Sequence, residues 1–304
     1  MTQPNSAHPF TQLSHAEPYP AISPSKPSLS AKGKTILIVG GSEGIGYAIV
    51  AAFAAAGAAN IIILARRGEL LDEAKKNIAQ EYPATNIHTF PASIDDAAKL
   101  NAVFAQVRTR IAEPDVLVLC AASGHQPLPT LSIPLDSLWR DFEINVKGNL
   151  NVVTEYLHPD ALIKQKKIIN VSSTGAHQLI QGMAGYGASK EAFVHLLMHL
   201  QEEYVDKNVR ITSYHPGTIL TSSAISHGFD KYPIAWGDVT LPGQFALWLA
   251  SKEANFLAGR FVYASWDVDE LQARAEEIEN SDLLKIGLVG EPAAKANAKS
   301  AGEH

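Results

Sequence analysis

Short continuous apolar runs recur along the chain, and most are followed by a stretch of helical periodicity. Thr35-Ile36-Leu37-Ile38-Val39 and Ile61-Ile62-Ile63-Leu64-Ala65 are two such runs. Residues 115–119, 168–171, 209–213 and 260–264 supply four more. Runs this short and this apolar read as strands buried on both faces. Between them, residues 47–56 are Ala-rich, 69–80 are amphipathic, and 96–112 and 135–157 carry helical spacing. Residues 186–204 place Phe193, Leu197 and Leu200 on one helical face, and 267–279 form a charged helix. Strands alternating with helices predict a parallel sheet with helices on both faces. In such a fold ligands bind beyond the carboxyl ends of the strands, so the residues after each run carry the chemistry.

Two stretches break the alternation. Residues 219–243 are irregular and hold Ser222, His227, Tyr232 and Trp236. They predict a mobile flap over a substrate, a common use of such segments. Residues 1–33 contain Pro4, Pro9, Pro18, Pro20, Pro24 and Pro27 among many polar residues. They form an arm that either crosses the domain or stays mobile. Within it Pro18-Tyr19-Pro20-Ala21-Ile22 is apolar enough to dock. The arm has no apolar central region and no Arg, so it does not read as a leader peptide. Residues 34–290 are expected to be one domain, and the small polar stretch 291–304 is expected to be disordered.

Composition narrows the partners. The chain has 304 residues, of which 46% are hydrophobic, enough for a full core. Net charge is -6, which gives no electrostatic footprint for nucleic acid. The single cysteine, Cys120, rules out an intrachain disulfide. No apolar run has the length needed to cross a bilayer. The expected setting is cytoplasmic.

Gly40-Gly41-Ser42-Glu43-Gly44-Ile45-Gly46 stands between the first apolar run and the Ala-rich helix. Strand, glycine loop and helix together place a pyrophosphate on a helix N-terminus. The second run ends at Ala65, followed by Arg66-Arg67. This strand end faces an adenosine ribose. An acidic residue there would accept from a 2′-hydroxyl, whereas the Arg66 fork matches a 2′-phosphate. The expected cofactor is therefore NADP(H), against the plainer reading of two solvated arginines.

The stretch 170–190, NVSSTGAHQLIQGMAGYGASK, holds Ser172-Ser173, then Tyr186 and Lys190. Residues four apart share a helical face, so the Tyr186 phenol and Lys190 ammonium are neighbours. A nearby cation lowers a phenol's pKa and makes it a usable acid and base. Ser173 could hydrogen-bond the oxygen of a carbonyl or alcohol. Tyr-x-x-x-Lys alone is common, and the glycine loop gives it context. Asn145, in the helix 135–157, is either an ordinary satisfied Asn or an anchor for a water beside Lys190.

Together Gly40-x-x-x-Gly44-x-Gly46, Asn145, Ser173, Tyr186-x-x-x-Lys190 and Pro216-Gly217 resemble the short-chain dehydrogenase/reductase family over residues 34–265. The resemblance implies a single doubly wound Rossmann-type α/β domain with a seven-stranded parallel sheet. It implies Tyr186 as proton donor, Ser173 as orienter, Lys190 on the nicotinamide ribose and Asn145 holding a relay water. It implies cofactor contacts from Gly40, Ser42, Gly44, Ile45 and Gly46, then from Ser93, Ile94 and Ala121. Pro216, Gly217, Thr218 and Thr221 would border the nicotinamide. It also implies a homodimer or homotetramer.

The chain departs from the family pattern at Val39, at Leu119-Cys120-Ala121-Ala122, at Ser93, and after the last strand. Its ending, with the Pro-rich arm, is similar to reductases of fungal secondary metabolism. The expected activity is NADP(H)-dependent reduction of a ketone, or the reverse, on an apolar substrate, polycyclic ones included. The alternatives are a cyclase, isomerase or dehydratase on the same scaffold, and a nucleotide-binding sensor. His195 and His199 have the spacing of two metal ligands, but Leu196 stands where a zinc protease motif needs Glu, so no metal is expected. Cys120 reads as a small buried hydrophobe. His215 either packs at a strand end or lines the pocket.

Overall fold

The computed structural model describes residues 10–158, 164–233 and 235–288. The tail 291–304, read as disordered, lies outside the described residues. Each of the six apolar runs forms a strand: β1 (Thr35–Val39), β2 (Asn60–Ala65), β4 (Val116–Leu119), β5 (Lys166–Val171), β6 (Val209–His215) and β7 (Phe261–Tyr263). The pattern missed β3 (Asn86–Pro91), whose side chains are only partly buried because it is the sheet edge. The sheet is parallel, in the order β3-β2-β1-β4-β5-β6-β7. Ile36 of β1 pairs with Ile61 on one side and Val116 on the other. Strand order reverses between β1 and β4, which opens a crevice at their carboxyl ends.

Helices α1 (Gly44–Ala55), α2 (Gly68–Glu81) and α3 (Ala97–Arg110) follow the first three strands. The helix expected over 135–157 is interrupted. It is α4 (Leu135–Phe142), a π-helical segment (Glu143–Gly148) and α5 (Asn149–Tyr156). The long helix α6 (Ala184–Glu203) carries Tyr186 and Lys190. The stretch 219–243 is less irregular than expected: it contains the short α7 (Ser222–Ser226), and its last residues start α8 (Thr240–Ala250). The charged helix expected over 267–279 is two pieces, α9 (Val268–Ala273) and α10 (Ala275–Glu279).

Successive residues of a strand point to opposite faces. Ile36 and Ile38 pack with Ile49, Phe53, Leu71 and Trp248 on one face, while Leu37 and Val39 pack with Leu100, Phe104, Tyr156 and Phe193 on the other. The arm crosses the first of these faces. Ile22 and Leu29 are buried in its core, and the Tyr19 hydroxyl donates to the Trp266 carbonyl. Phe10 stacks on Trp266, and the Asp238 amide donates to the Ala16 carbonyl. The docking expected of 18–22 is what anchors the arm.

Candidate active site

The crevice between β1 and β4 is a cleft of ≈ 310 Å³. Gly40, Ser42, Gly44, Ile45 and Gly46 line one wall. Gly40 turns the chain with a φ of 82°. A Cβ on Gly46 would stand 2.0 Å from the Gly40 carbonyl oxygen, so only glycine lets α1 start this close to β1. The N-cap residue Glu43 makes no side-chain cap, which leaves the first amides of a twelve-residue helix to bind an anion in the cleft.

The two arginines after β2 separate. Both line the cleft, but Arg67 forms an ion pair with Glu43, and Arg66 has no carboxylate partner among the described residues. The other carboxylate oxygen of Glu43 accepts from the Ser222 hydroxyl at 2.5 Å, which ties the flap to the glycine loop. Ser93, Ile94 and Ala121 also line the cleft, as do Pro216 and Thr221. Gly217, Thr218, Ser173 and Asn145 are not among the residues lining it. Thr218 instead accepts from the Gly237 amide at 2.8 Å, which joins the two ends of the flap.

Tyr186 and Lys190 both face the cleft from α6. Ser173 follows the end of β5, close enough to Tyr186 to bear on its phenol, and its Oγ accepts from the Gly175 amide at 3.2 Å. Ser172 is among the residues lining the cleft, and its Oγ is buried and unpartnered. The expected acidic phenol is corrected here. Burial pushes Tyr186 up to about 12, against the opposing Ser173 hydrogen bond. Burial likewise pushes Lys190 down to about 8. The lysine Nζ donates to the Val171 carbonyl at 3.2 Å and lies 5.8 Å from the Tyr186 ring centroid. Desolvation disfavours both charged forms, and it outweighs the attraction between them.

Asn145 is buried in the π-helical segment, which turns its side chain out of the helical ladder. Its Oδ1 accepts from the Ser123 amide at 2.8 Å, and its Nδ2 donates to the Ser123 carbonyl and to Ser189 Oγ, both at 2.9 Å. Its backbone carbonyl accepts from Asn149 Nδ2 at 3.2 Å. Asn145 therefore braces the loop after β4 against α6. Of the two readings left open by its buried polar character, the satisfied one describes its side chain.

Cys120 is half-buried on the cleft floor rather than in the core, and burial pushes its thiol up to about 11. His215 packs edge-on against Tyr263, and burial pushes it down to about 4. His195 and His199 are exposed on α6 with their Nε2 atoms 3.2 Å apart, one ring donating to the other. Among the described residues no third side chain joins them as a metal ligand. The sequence reading missed His125, Asp141 and Asn149. Asp141 is 1% exposed. Its signal was a carboxylate on the buried side of a helix that also presents Leu138.

The fold is a doubly wound parallel sheet with a glycine loop, Tyr186 and Lys190 at one crevice, the arrangement of a Rossmann-type domain. Residues 34–229 match the family of short chain dehydrogenases. The chain is 39% identical over 280 residues to the short chain dehydrogenase/reductase AacuD of Aspergillus aculeatus, covering 92% of this chain and 96% of that one. It is 41% identical over 262 residues to a short chain dehydrogenase/reductase of Claviceps purpurea, covering 84% and 87%. The solved L-sorbose reductase of Gluconobacter frateurii, in complex with NADPH and L-sorbose, superposes with a TM-score of 0.70 at 22% identity, over 78% of this chain and 96% of that one. An NADP complex of RhlG from Pseudomonas aeruginosa superposes at 0.69 and 21% identity, over 78% and 96%. The chain belongs to the short-chain dehydrogenase/reductase family. Among the described residues no helix is long and apolar enough to cross a membrane.

Proposed function

We propose that the protein is an NADP(H)-dependent ketoreductase. The observation that carries this reading is the placement of Tyr186 and Lys190 in the same cleft as the glycine loop. The residues fit the dinucleotide. The α1 amides and Gly46 would hold its pyrophosphate, and Arg66 its 2′-phosphate. Lys190 would hold its ribose, with Pro216 and Thr221 beside the nicotinamide. NADP complexes among the similar folds support the choice of cofactor. When bound, the cofactor supplies hydride.

The chain's own residues supply position and the proton. Ser173 donates a hydrogen bond to the substrate oxygen. Tyr186 is a neutral phenol near neutrality, because burial holds it at about 12. It therefore enters a reduction carrying the proton that the substrate oxygen takes up. Lys190, at about 8, keeps its charge through neutrality and restores donors to the site. Asn145 would hold the loop after β4 against α6, and so hold Tyr186 and Lys190 in register with the cleft. The substrate class we assign is an apolar ketone; Leu128, Leu135, Leu179 and Ile180 are exposed apolar side chains.

The test follows NADPH absorbance with a panel of apolar aryl ketones, with NADH in parallel. Oxidation of NADPH in preference to NADH is expected. Conversion of a substrate without nucleotide oxidation would replace the reading by a lyase or isomerase. Tight binding without any turnover would make the protein a nucleotide sensor.

A further inference from the structure

We propose that His125 and Asp141 hold one shared proton beneath the first turn of α6 and act as positioning residues for Tyr186. The proposal rests on Tyr186 being the proton donor. His125 lies on the loop after β4, and Asp141 lies near the end of α4. Their side chains are 9% and 1% exposed. Nε2 of the histidine faces Oδ2 of the aspartate at 3.6 Å, and neither atom has a hydrogen-bond partner. Buried polar atoms left this way are rare because they lose water without replacement.

The other ring nitrogen fixes the tautomer. His125 Nδ1 lies 2.8 Å from the Gln126 carbonyl oxygen, which can only accept, so Nδ1 carries a hydrogen. In a neutral ring Nε2 is then a bare lone pair. Facing an ionised carboxylate, it would set acceptor against acceptor. One added proton, on either atom, turns the contact into an attraction that closes to hydrogen-bond length. Burial raises the Asp141 carboxyl and so favours uptake of that proton. The nearby Ser123 hydroxyl opposes it, as do His125, His227 and Lys190.

The pair sits where Tyr186 is positioned. A Cβ on Gly185, the residue before Tyr186, would lie 3.2 Å from Asp141 Oδ2 and 3.3 Å from His125 Nε2. Ser123, on the same loop as His125, is held by Asn145. Gly124 packs on the Tyr186 ring, and its carbonyl lies 3.0 Å from His227 Nε2 on the flap. The titratable groups facing Asp141 are thus His125 from the loop, Tyr186 and Lys190 from α6, and His227 from the flap. On its own helix, Arg140 is engaged by Asp95 and Glu143. The shared proton keeps a bare carboxylate from forming under the phenol and keeps the loop closed on α6.

The test compares Asp141→Asn, His125→Gln and the double variant with Tyr186→Phe. Ketone reduction is read against pH, NADPH dissociation by fluorescence, and the His125 ring by nitrogen NMR without substrate. Asp141→Asn should lower kcat about 10- to 100-fold, as misplacement of a reacting group does, with NADPH binding unchanged. The double variant should lose no more than Asp141→Asn alone, since both remove the same proton. In the wild type the Nε2 signal should be that of a protonated or shared site, and it should become a bare nitrogen in Asp141→Asn. An Nε2 in the wild type that is neither protonated nor hydrogen-bonded would overturn the proposal even if the variants unfold. Should Tyr186→Phe retain turnover, the proton-donor reading itself fails. Should Tyr186→Phe be inactive while Asp141→Asn keeps wild-type kcat, pH profile and spectrum, only the role of the pair fails.

Discussion

Two buried lysines stand at opposite ends of the sheet. Lys167, at the amino end of β5, is 6% exposed, and burial pushes it down to about 7. Lys190, at the carboxyl end, is 4% exposed and pushed down to about 8 for the same reason. Their company differs. Lys167 donates to the carbonyls of Ser251 and Leu249, where it closes the end of α8. Lys190 donates to Val171 and shares a cleft with Tyr186 and the glycine loop. A depressed lysine therefore marks burial, and only its neighbours mark chemistry.

The largest expected effect breaks or keeps that contrast. Lys190→Met should lower turnover on the order of 10²–10⁴-fold, measured by NADPH oxidation. Lys167→Met should leave turnover unchanged and move only the melting temperature. The pH dependences should part as well. Each lysine has a folded value below its ordinary 10.5, so between the two values the unfolded chain holds a proton that the folded chain lacks. Stability from these lysines then rises with pH, from about 7 for Lys167 and about 8 for Lys190. Activity should fall as pH rises through about 8, where Lys190 loses its charge. Thermal melts and rates across the same buffers check both signs.

Smaller effects sharpen the carboxyl end alone. Arg66→Ala should weaken NADPH binding roughly 10- to 100-fold, the value of a charge-assisted contact, and should barely change NADH. Equal losses for both nucleotides would place Arg66 away from the 2′-phosphate. Glu43→Gln should have the smallest effect. It releases Arg67 and loosens Ser222, and a surface pair is worth about 0.2–1 kcal/mol, so NADPH affinity should change less than about fivefold by titration.

Much of this was legible because β1, β2, β4, β5 and β6 are buried on both faces and therefore spell continuous apolar runs. Edge strand β3 is half-exposed, so His88 and Thr89 blurred it. The π-helical segment escaped because Glu143–Gly148 keeps a helical pattern, and only the partners of Asn145 make the extra residue favourable. Gly40, Gly44, Gly46, Tyr186 and Lys190 were legible from spacing. The sign of the Tyr186 shift was not, because spacing brings the ammonium near and says nothing of the water that burial removes. His125 and Asp141 come from distant segments and meet only in the fold.

Tyr186→Phe tests the central claim most directly, when single-turnover NADPH oxidation and NADPH binding are measured on the same sample. The variant should bind the nucleotide as the wild type does and reduce the ketone slower on the order of 10²–10⁴-fold. Reduction at the wild-type rate would contradict the assignment of the proton to this phenol.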